Sequence, residues 1–492
     1  FTMPYNTGLL NGRTITYADV PTVIPGRYEA LCEGNPDTAI VSRSIAANEN
    51  IHFHPADVQD FQLYNWDMRS LQYYVQIFGT LLNGQKACVM IRICPHFDIR
   101  VEVKTPGDEV RHRKGVLQAL AGKEWGVSST EWVKRKKYMG YQRHRFTWLR
   151  VYMHSSSDRR KAIAYCRTEL GHTMASVGGT SNSYYNVVSS QYMLEWSSWL
   201  TTARYDTWSK NRRVKLPKTF IVGVNNISTY SGDVLSQRSM RLDKTVVLTW
   251  DIETYKDVTR QDADPPFPDD VGSGIFQVGI TANLVHEDTP YLNIIVTTCP
   301  QTPDPDTLVV LCMSEVELIK AFVDIFEKID PDHTGGYNTG FYDWPWMKER
   351  MLSYDIFPYC AGRLSSLVYE QGKAKYAEFV DNLVRYNYSR YTFKLDADNC
   401  MTVWSLKFPG YVDMDLMPIF RKTYMKKCET AGKYSLNFFL DMFNLPSKHD
   451  ITPNQMFDAY AQMDACLKGD DAPPPELMDM MSKIGRYCSH DV

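Results

Sequence analysis

The stretch Lys244-Thr-Val-Val-Leu-Thr-Trp-Asp251-Ile-Glu253-Thr-Tyr255 is an apolar, β-branched run that ends in two carboxylates one residue apart. Such a run predicts a buried strand. Side chains alternate along a strand, so Asp251 and Glu253 project from one face. Two acids on one side of a strand tip suit a hard divalent cation, which takes oxygen ligands. A solvated strand exit carries the same letters, so the reading turns on what lies downstream.

Two later stretches bear on it. In Gly336-Tyr-Asn338-Thr-Gly340-Phe341-Tyr342-Asp343-Trp-Pro345-Trp346, a Gly/Asn turn delivers an aromatic and an acid just before a predicted helix. Pro345 suits the first helical turn, and Asp343 is favoured near a helix N-terminus in any protein. In Tyr487-Cys-Ser-His-Asp491, the tyrosine and the acid are four apart and share one helix face. A phenol and a carboxylate so placed can orient and deprotonate a water, and an amphipathic surface produces the same pair.

Composition bounds the rest. The chain has 492 residues, 44% hydrophobic and 23% charged, which is enough for two or three ordinary globular domains. Its net charge of −3 does not announce a nucleic-acid binder, so such binding must come from local patches or bound cations. Eleven cysteines, with no Cys-x-x-Cys and no Cys/His cluster at zinc spacing, read as reduced thiols of an intracellular protein. No apolar run is long enough to span a bilayer.

Residues 1–50 read as mostly irregular, and 51–235 as an α+β domain rich in antiparallel strands, with a hairpin turn at Asn83-Gly84. Lys134-Arg-Lys-Lys137, followed by Arg143, His144 and Arg145, stands out as the dense basic segment. It reads as a solvated loop or as a contact for a nucleic-acid backbone. After Lys244, strands at 275–282 and 291–297 precede an amphipathic helix opened by Ser314-Glu315, which suggests a mixed sheet with helices packed on it. A hairpin is expected at 391–406, a strand at 411–416 and a helix from Glu476 to Val492. Asp413 and Asp415 form a second Asp-x-Asp on a strand.

Taken in order, Asp251-x-Glu253, Asn338-x₃-Tyr342-Asp343 and Tyr487-x₃-Asp491 resemble the three motifs of the 3′→5′ proofreading exonuclease of family B DNA polymerases, in the subclass with tyrosine in the last motif. Ser314-Glu315, Pro331-Asp332, Gly336-Tyr-Asn338, Gly410-Tyr-Val-Asp-Met-Asp415-Leu and Tyr434-Ser-Leu-Asn437 resemble flanking segments of that family. Trp66-Asp and Phe78-Gly79 through Gly84 do so more diffusely. The resemblance implies an N-terminal α+β domain over 1–235 and an RNase H-like, DEDDy-type α/β exonuclease domain over 236–492, with the hairpin near 391–406 as an insertion. It implies two divalent ions, Mg²⁺ or Mn²⁺, held by Asp251, Glu253, Asp343 and Asp491. Glu253 and Tyr487 would orient the attacking water, and Asn338 and Phe341 would hold the terminal nucleotides. Asp413 and Asp415 fall outside that set.

Two departures matter. The interval from Asp343 to Asp491 exceeds that between the first two motifs, so insertions are expected around 355–410. The palm motifs Asp-Thr-Asp-Ser and Lys-x₃-Asn-x₂-Tyr-Gly are absent, and the helix running to Val492 suggests the front part of a larger protein. The partners implied are a single-stranded 3′ end or primer–template DNA, the missing palm, fingers and thumb, and a processivity factor. The place implied is the nucleus or a viral replication site, with no membrane. A free-standing exonuclease and a silent nucleic-acid-binding scaffold are the rival readings.

Overall fold

The decisive stretch forms the strand Val246–Tyr255 in the interior of a seven-stranded sheet, next to its middle strand. The computed structural model describes residues 10–490 apart from 66–69, 101–104, 106, 122, 124, 137–143, 170–182, 209–212, 257–265, 271, 303, 447–450 and 470. Val246, Leu248 and Trp250 are wholly buried. The Trp250 ring lies 5.0 Å from Phe322 and 4.5 Å from Trp344, so the even-numbered side of the strand faces core. Burying each such side chain stabilises the fold by roughly 1.5–3 kcal/mol.

The sheet order is Thr14–Thr16, Leu308–Leu311, Leu292–Thr297, Gly274–Leu284, Val246–Tyr255, His333–Gly336 and Val412–Asp415. The strand Val246–Tyr255 is antiparallel to Gly274–Leu284 and parallel to His333–Gly336, so the sheet is mixed, as expected. On one face packs the helix Glu315–Ile329, which buries Leu318, Ile319, Phe322, Val323 and Phe326. Ser314 caps it, its Oγ accepting from Glu317 N–H at 3.2 Å. It stops where Asp330 adopts a left-handed φ of 46°. On the other face lie the helices Pro453–Lys468 and Pro475–His490, over Phe276 and Cys299.

A second seven-stranded sheet holds Ile51–Asn65, Ser70–Leu81 and Lys86–Arg92, the last two joined through the expected Asn83-Gly84 turn. A three-stranded sheet, His96–Arg100, Phe146–Met153 and Val127–Arg135, buries Phe97, Leu149 and Val151 against the helices Asp108–Ala121 and Ser156–Thr168. The expected hairpin is Tyr388–Lys394 against Cys400–Leu406, its turn closed by Asp396 accepting from the Asp398 and Asn399 N–H groups at 2.7 Å each.

The first fifty residues correct the expectation of irregular structure. Residues 14–16 add an edge strand to the central sheet, and Val20–Val23, Arg27–Leu31 and Pro36–Ala46 are helical. The physical reason is that Asn35-Pro36-Asp37, counted as loop residues, is a helix start. The Asn35 side chain accepts from Asp37 N–H at 3.0 Å, and proline occupies the first turn. Lys134 and Arg135 also depart from a solvated loop. They lie on the strand Val127–Arg135, where Arg135 pairs with buried Asp98 at 2.9 Å. Lys137, Arg143, Trp66 and Asp67 lie outside the described residues.

One buried ion pair ties the two large sheets together. Asp332 Oδ2 accepts from Arg27 Nη2 and Thr80 Oγ1 at 2.7 Å each, and from Val246 N–H at 2.8 Å. Burial alone would raise its pKa, but Arg27 and Lys86 more than offset this and hold the carboxyl below its usual range. A depressed folded-state pKa gives stability that is present above the unfolded value and lost as pH falls through the folded one. Arg27→Met strands this carboxylate, with an expected loss of about 3–5 kcal/mol in denaturant unfolding at neutral pH. The variant should also lose less stability than wild type on acidification. A loss below about 1 kcal/mol would contradict the latch.

Candidate active site

Asp251 and Glu253 share the face opposite Trp250, with a register shift just after Glu253. Opposite Asp251 in the register stands Gly279. A Cβ there would lie 2.9 Å from Cys488 Sγ and 3.1 Å from the Cys488 carbonyl, so only glycine lets the last helix approach this closely. Leu477, Met481, Ile484 and Cys488 form the buried stripe that seats the helix on the sheet. A carboxylate oxygen of Asp251, one of Glu253 and the Cys488 sulfur all lie within 4.8 Å of one another. The thiol donates to the Asp251 carbonyl at 3.7 Å. Tyr487 is half-buried in the same packing. Asp491 lies outside the described residues.

Asp343 arrives from the other side, as the first residue of the helix Asp343–Ser353, and is 1% exposed. Its Oδ1 accepts from Ile252 N–H at 3.3 Å. Its carboxyl also hydrogen-bonds the Asp251 side chain. Burial pushes Asp343 up to about 7, with Asp415 adding to the rise. Tyr342, whose hydroxyl is 2.6 Å from Thr254 Oγ1, is raised by burial and then by Asp343, Glu253 and Asp251. The structure therefore brings three of the four acids to one strand tip.

The loop that carries Asn338 and Phe341 is pinned by an acid outside that set. Asp415 accepts from Asn338, Gly340 and Met417 N–H groups at 2.9, 3.0 and 3.0 Å. Asn338 takes a positive φ of 72°, and its carbonyl accepts from Phe341 N–H at 3.0 Å. Gly340 has no room for a Cβ, which would fall 2.7 Å from the Trp404 carbonyl. Its own carbonyl accepts from Trp404 N–H at 3.3 Å, which fastens the hairpin to the loop. Phe341 is 41% exposed. Asp413 accepts from Thr334 Oγ1, Trp344 Nε1 and Ser405 Oγ at 2.9, 2.9 and 3.0 Å. Both acids keep their oxygens on protein donors. Sequence reasoning missed Cys488 as a member of the cluster and gave Tyr342 no role beyond its place in the motif; the stripe Leu477, Met481, Ile484, Cys488 was the available signal for the thiol.

The donor chemistry fits hard divalent cations. Asp251, Glu253 and Asp343 offer carboxylate oxygens, and a cation among them would relieve like-charge crowding. Because the Asp343 pKa is raised above its unfolded value, its contribution is full at low pH and lost as pH rises through about 7. In chelator, the protein is expected to melt lower at pH 8 than at pH 5.5, with Mn²⁺ or Mg²⁺ restoring the loss and Asp343→Asn flattening the difference. Melting temperatures that ignore both pH and cation would contradict the cluster.

Comparison with known proteins gives this geometry a family. Residues 194–438 match the model described as DNA polymerase family B, exonuclease domain. The chain is 26% identical over 471 residues to the DNA polymerase beta of African swine fever virus (isolate Pig/Kenya/KEN-50/1950), covering 94% of this chain and 35% of that protein. It is 25% identical over 182 residues to DNA polymerase 120R of Invertebrate iridescent virus 3, covering 36% of this chain and 13% of that protein. The chain thus spans about a third of the length of the first of these relatives, 35%. Among solved structures it resembles the family B DNA polymerase of the hyperthermophilic archaeon Pyrobaculum calidifontis, with a TM-score of 0.52, 16% identity, and coverage of 90% of this chain and 44% of that one. That likeness speaks to fold, and the central unit is RNase H-like within an α/β and α+β protein. Through residues 194–438, the chain belongs to the exonuclease-domain family of the family B DNA polymerases.

Proposed function

We propose that this chain is a cation-dependent 3′→5′ exonuclease that removes nucleotides from single-stranded 3′ ends of DNA, the proofreading part of a longer DNA-directed DNA polymerase. In this reading, residues 1–235 are the N-terminal domain, with residues 14–16 crossing to the central sheet, and 236–492 the exonuclease domain. The observation that carries it is the meeting of Asp251, Glu253 and Asp343 at one strand tip, beneath the helix that bears Tyr487.

Asp251, Glu253, Asp343 and Asp491 would hold two divalent ions, Mg²⁺ or Mn²⁺. When bound, these supply charge neutralisation at the phosphate and an acidified water. Glu253 and the Tyr487 phenol orient the attacking water and take up its proton. Asn338, set by Asp415, and Phe341, by stacking, hold the terminal nucleotides so that the last phosphate faces the acids. Water adds to phosphorus as the P–O3′ bond breaks. The nucleoside 5′-monophosphate leaves, and the new terminal 3′ oxygen receives a proton. The hairpin, tied to Gly340 through Trp404, would stand between the frayed end and its complement. The reading places the protein at a site of DNA replication; no helix among the described residues is long and apolar enough to cross a membrane.

The test is a 5′-labelled single strand incubated with Mg²⁺ or Mn²⁺. Stepwise shortening from the 3′ end is expected, falling by about 100-fold or more in Asp251→Ala and Asp343→Asn. No shortening with either cation would favour a silent scaffold. Removing hairpin residues 395–399 should spare cleavage of single strands and slow cleavage at duplex ends. Equal loss on both substrates would sink the strand-separating role.

A further inference from the structure

Next to the acid cluster lies a cationic, aromatic face that the cleavage chemistry leaves unused. The helices Leu416–Thr423 and Met425–Ala431, with the turn after them, carry Arg421, Lys422, Lys426, Lys427 and Lys433 against one acid, Glu429, in a chain of net charge −3. Lys422, Lys426, Lys427, Lys433 and Tyr434 are exposed. The buried cations, by contrast, are paired: Arg27 with Asp332 and Lys86 with Asp330, and the part-buried Arg135 and Arg150 share Asp98. Among the described residues, Arg421, Lys422, Lys426 and Lys427 have no carboxylate partner. Three of the four lie over rings instead, Arg421 4.2 Å from Tyr434, Lys422 5.2 Å from Phe393 and Lys427 5.9 Å from Tyr424. A groove bounded by Lys426, Lys427, Phe438 and Met442, with Asp441 at its edge, continues the face.

This face is fastened to the loop of the acid cluster. Asp415 caps Leu416–Thr423 with the same carboxylate that binds Asn338 and Gly340. The Tyr337 hydroxyl donates to the Tyr434 carbonyl. The hairpin tip, with Asp396 and Asp398, is acidic, so a polyanion would run along the helices and not over the tip. Cations without acid partners, interleaved with aromatic rings, suit one chemistry, a strand of phosphates bearing stackable bases.

We infer that Arg421, Lys422, Lys426 and Lys427 hold the backbone of a single nucleic-acid strand upstream of the end the acid cluster receives, with Tyr434 offering a stacking surface. The inference rests on the proposed nuclease reading for the direction of the strand, but not for its binding. The probe is fluorescein-labelled oligo(dT) of about twenty nucleotides, titrated in chelator with the 492-residue chain at several salt concentrations. Replacing the four residues by alanine should weaken binding at least tenfold near 0.1 M salt. It should also reduce the log–log salt slope by roughly 3, at about 0.7 per phosphate on a single strand. Lys134→Ala/Lys136→Ala should change neither, and melting temperatures should match wild type. With cation present, KM for the long strand should rise while trinucleotide cleavage stays unchanged. An unchanged salt slope, equal loss in the control variant, or tighter binding of duplex than of single strand would overturn the inference. If wild type cleaves nothing, the nuclease reading fails, and the binding titration still decides the face.

Discussion

The structure depends on how it keeps acids out of water. A buried carboxylate is costly unless donors or an opposite charge compensate it. Asp343 sits at a helix N-terminus and takes an N–H from Ile252, yet burial still lifts it to about 7. Beside it, Asp251 shares a hydrogen bond, and Glu253 stands close on the same strand face. A cluster left short of positive charge in this way is preorganised for cations, since the protein has spent folding energy to hold the acids together before any ion arrives.

The remaining buried acids behave differently, and the difference separates architecture from chemistry. Asp413, Asp415 and Glu315 have both carboxylate oxygens on protein donors, and Asp332 gathers its donors on Oδ2 beside the Arg27 charge. Glu315 accepts from Ile275 N–H and from Arg350 and Tyr354, and thereby clamps the start of one helix to a strand and to another helix. Asp415 joins the loop of 338–340 to the helix after it. Asp413 joins three segments through Thr334, Trp344 and Ser405, and burial raises it to about 6 despite those donors. Each is a hub that brings chain segments far apart in sequence into register, and the strand tip inherits its geometry from them.

Much of this was legible in the sequence, for identifiable reasons. The strand Val246–Tyr255 reads from its alternation, the helix after Ser314 from its cap and stripe, and the hairpins from Asn83-Gly84 and Asp396-Ala-Asp-Asn399, because these signals are local. The helices of the first fifty residues and Pro453–Lys468 were passed over because their starts, Asn35-Pro36 and Thr452-Pro453, consist of residues that also break structure. Long-range facts left little local trace. Nothing in the letters says that Thr14–Thr16 borders Leu308–Leu311, that Gly279 is small to admit Cys488, or that Asp415 holds Asn338. The exposed cations of 421–433 are spaced singly and in pairs, so they attract less notice than Lys134–Lys137, although Arg135 is engaged with Asp98.

The central claim is that acids distant in sequence gather around divalent cations at the tip of the strand Val246–Tyr255. Anomalous scattering from crystals of the chain soaked in Mn²⁺ tests it most directly. The expected result is two peaks enclosed by Asp251, Glu253, Asp343 and Asp491, both lost in Asp251→Ala. Peaks elsewhere on the molecule, or Asp491 standing on a remote surface with no ion at the strand tip, would contradict it.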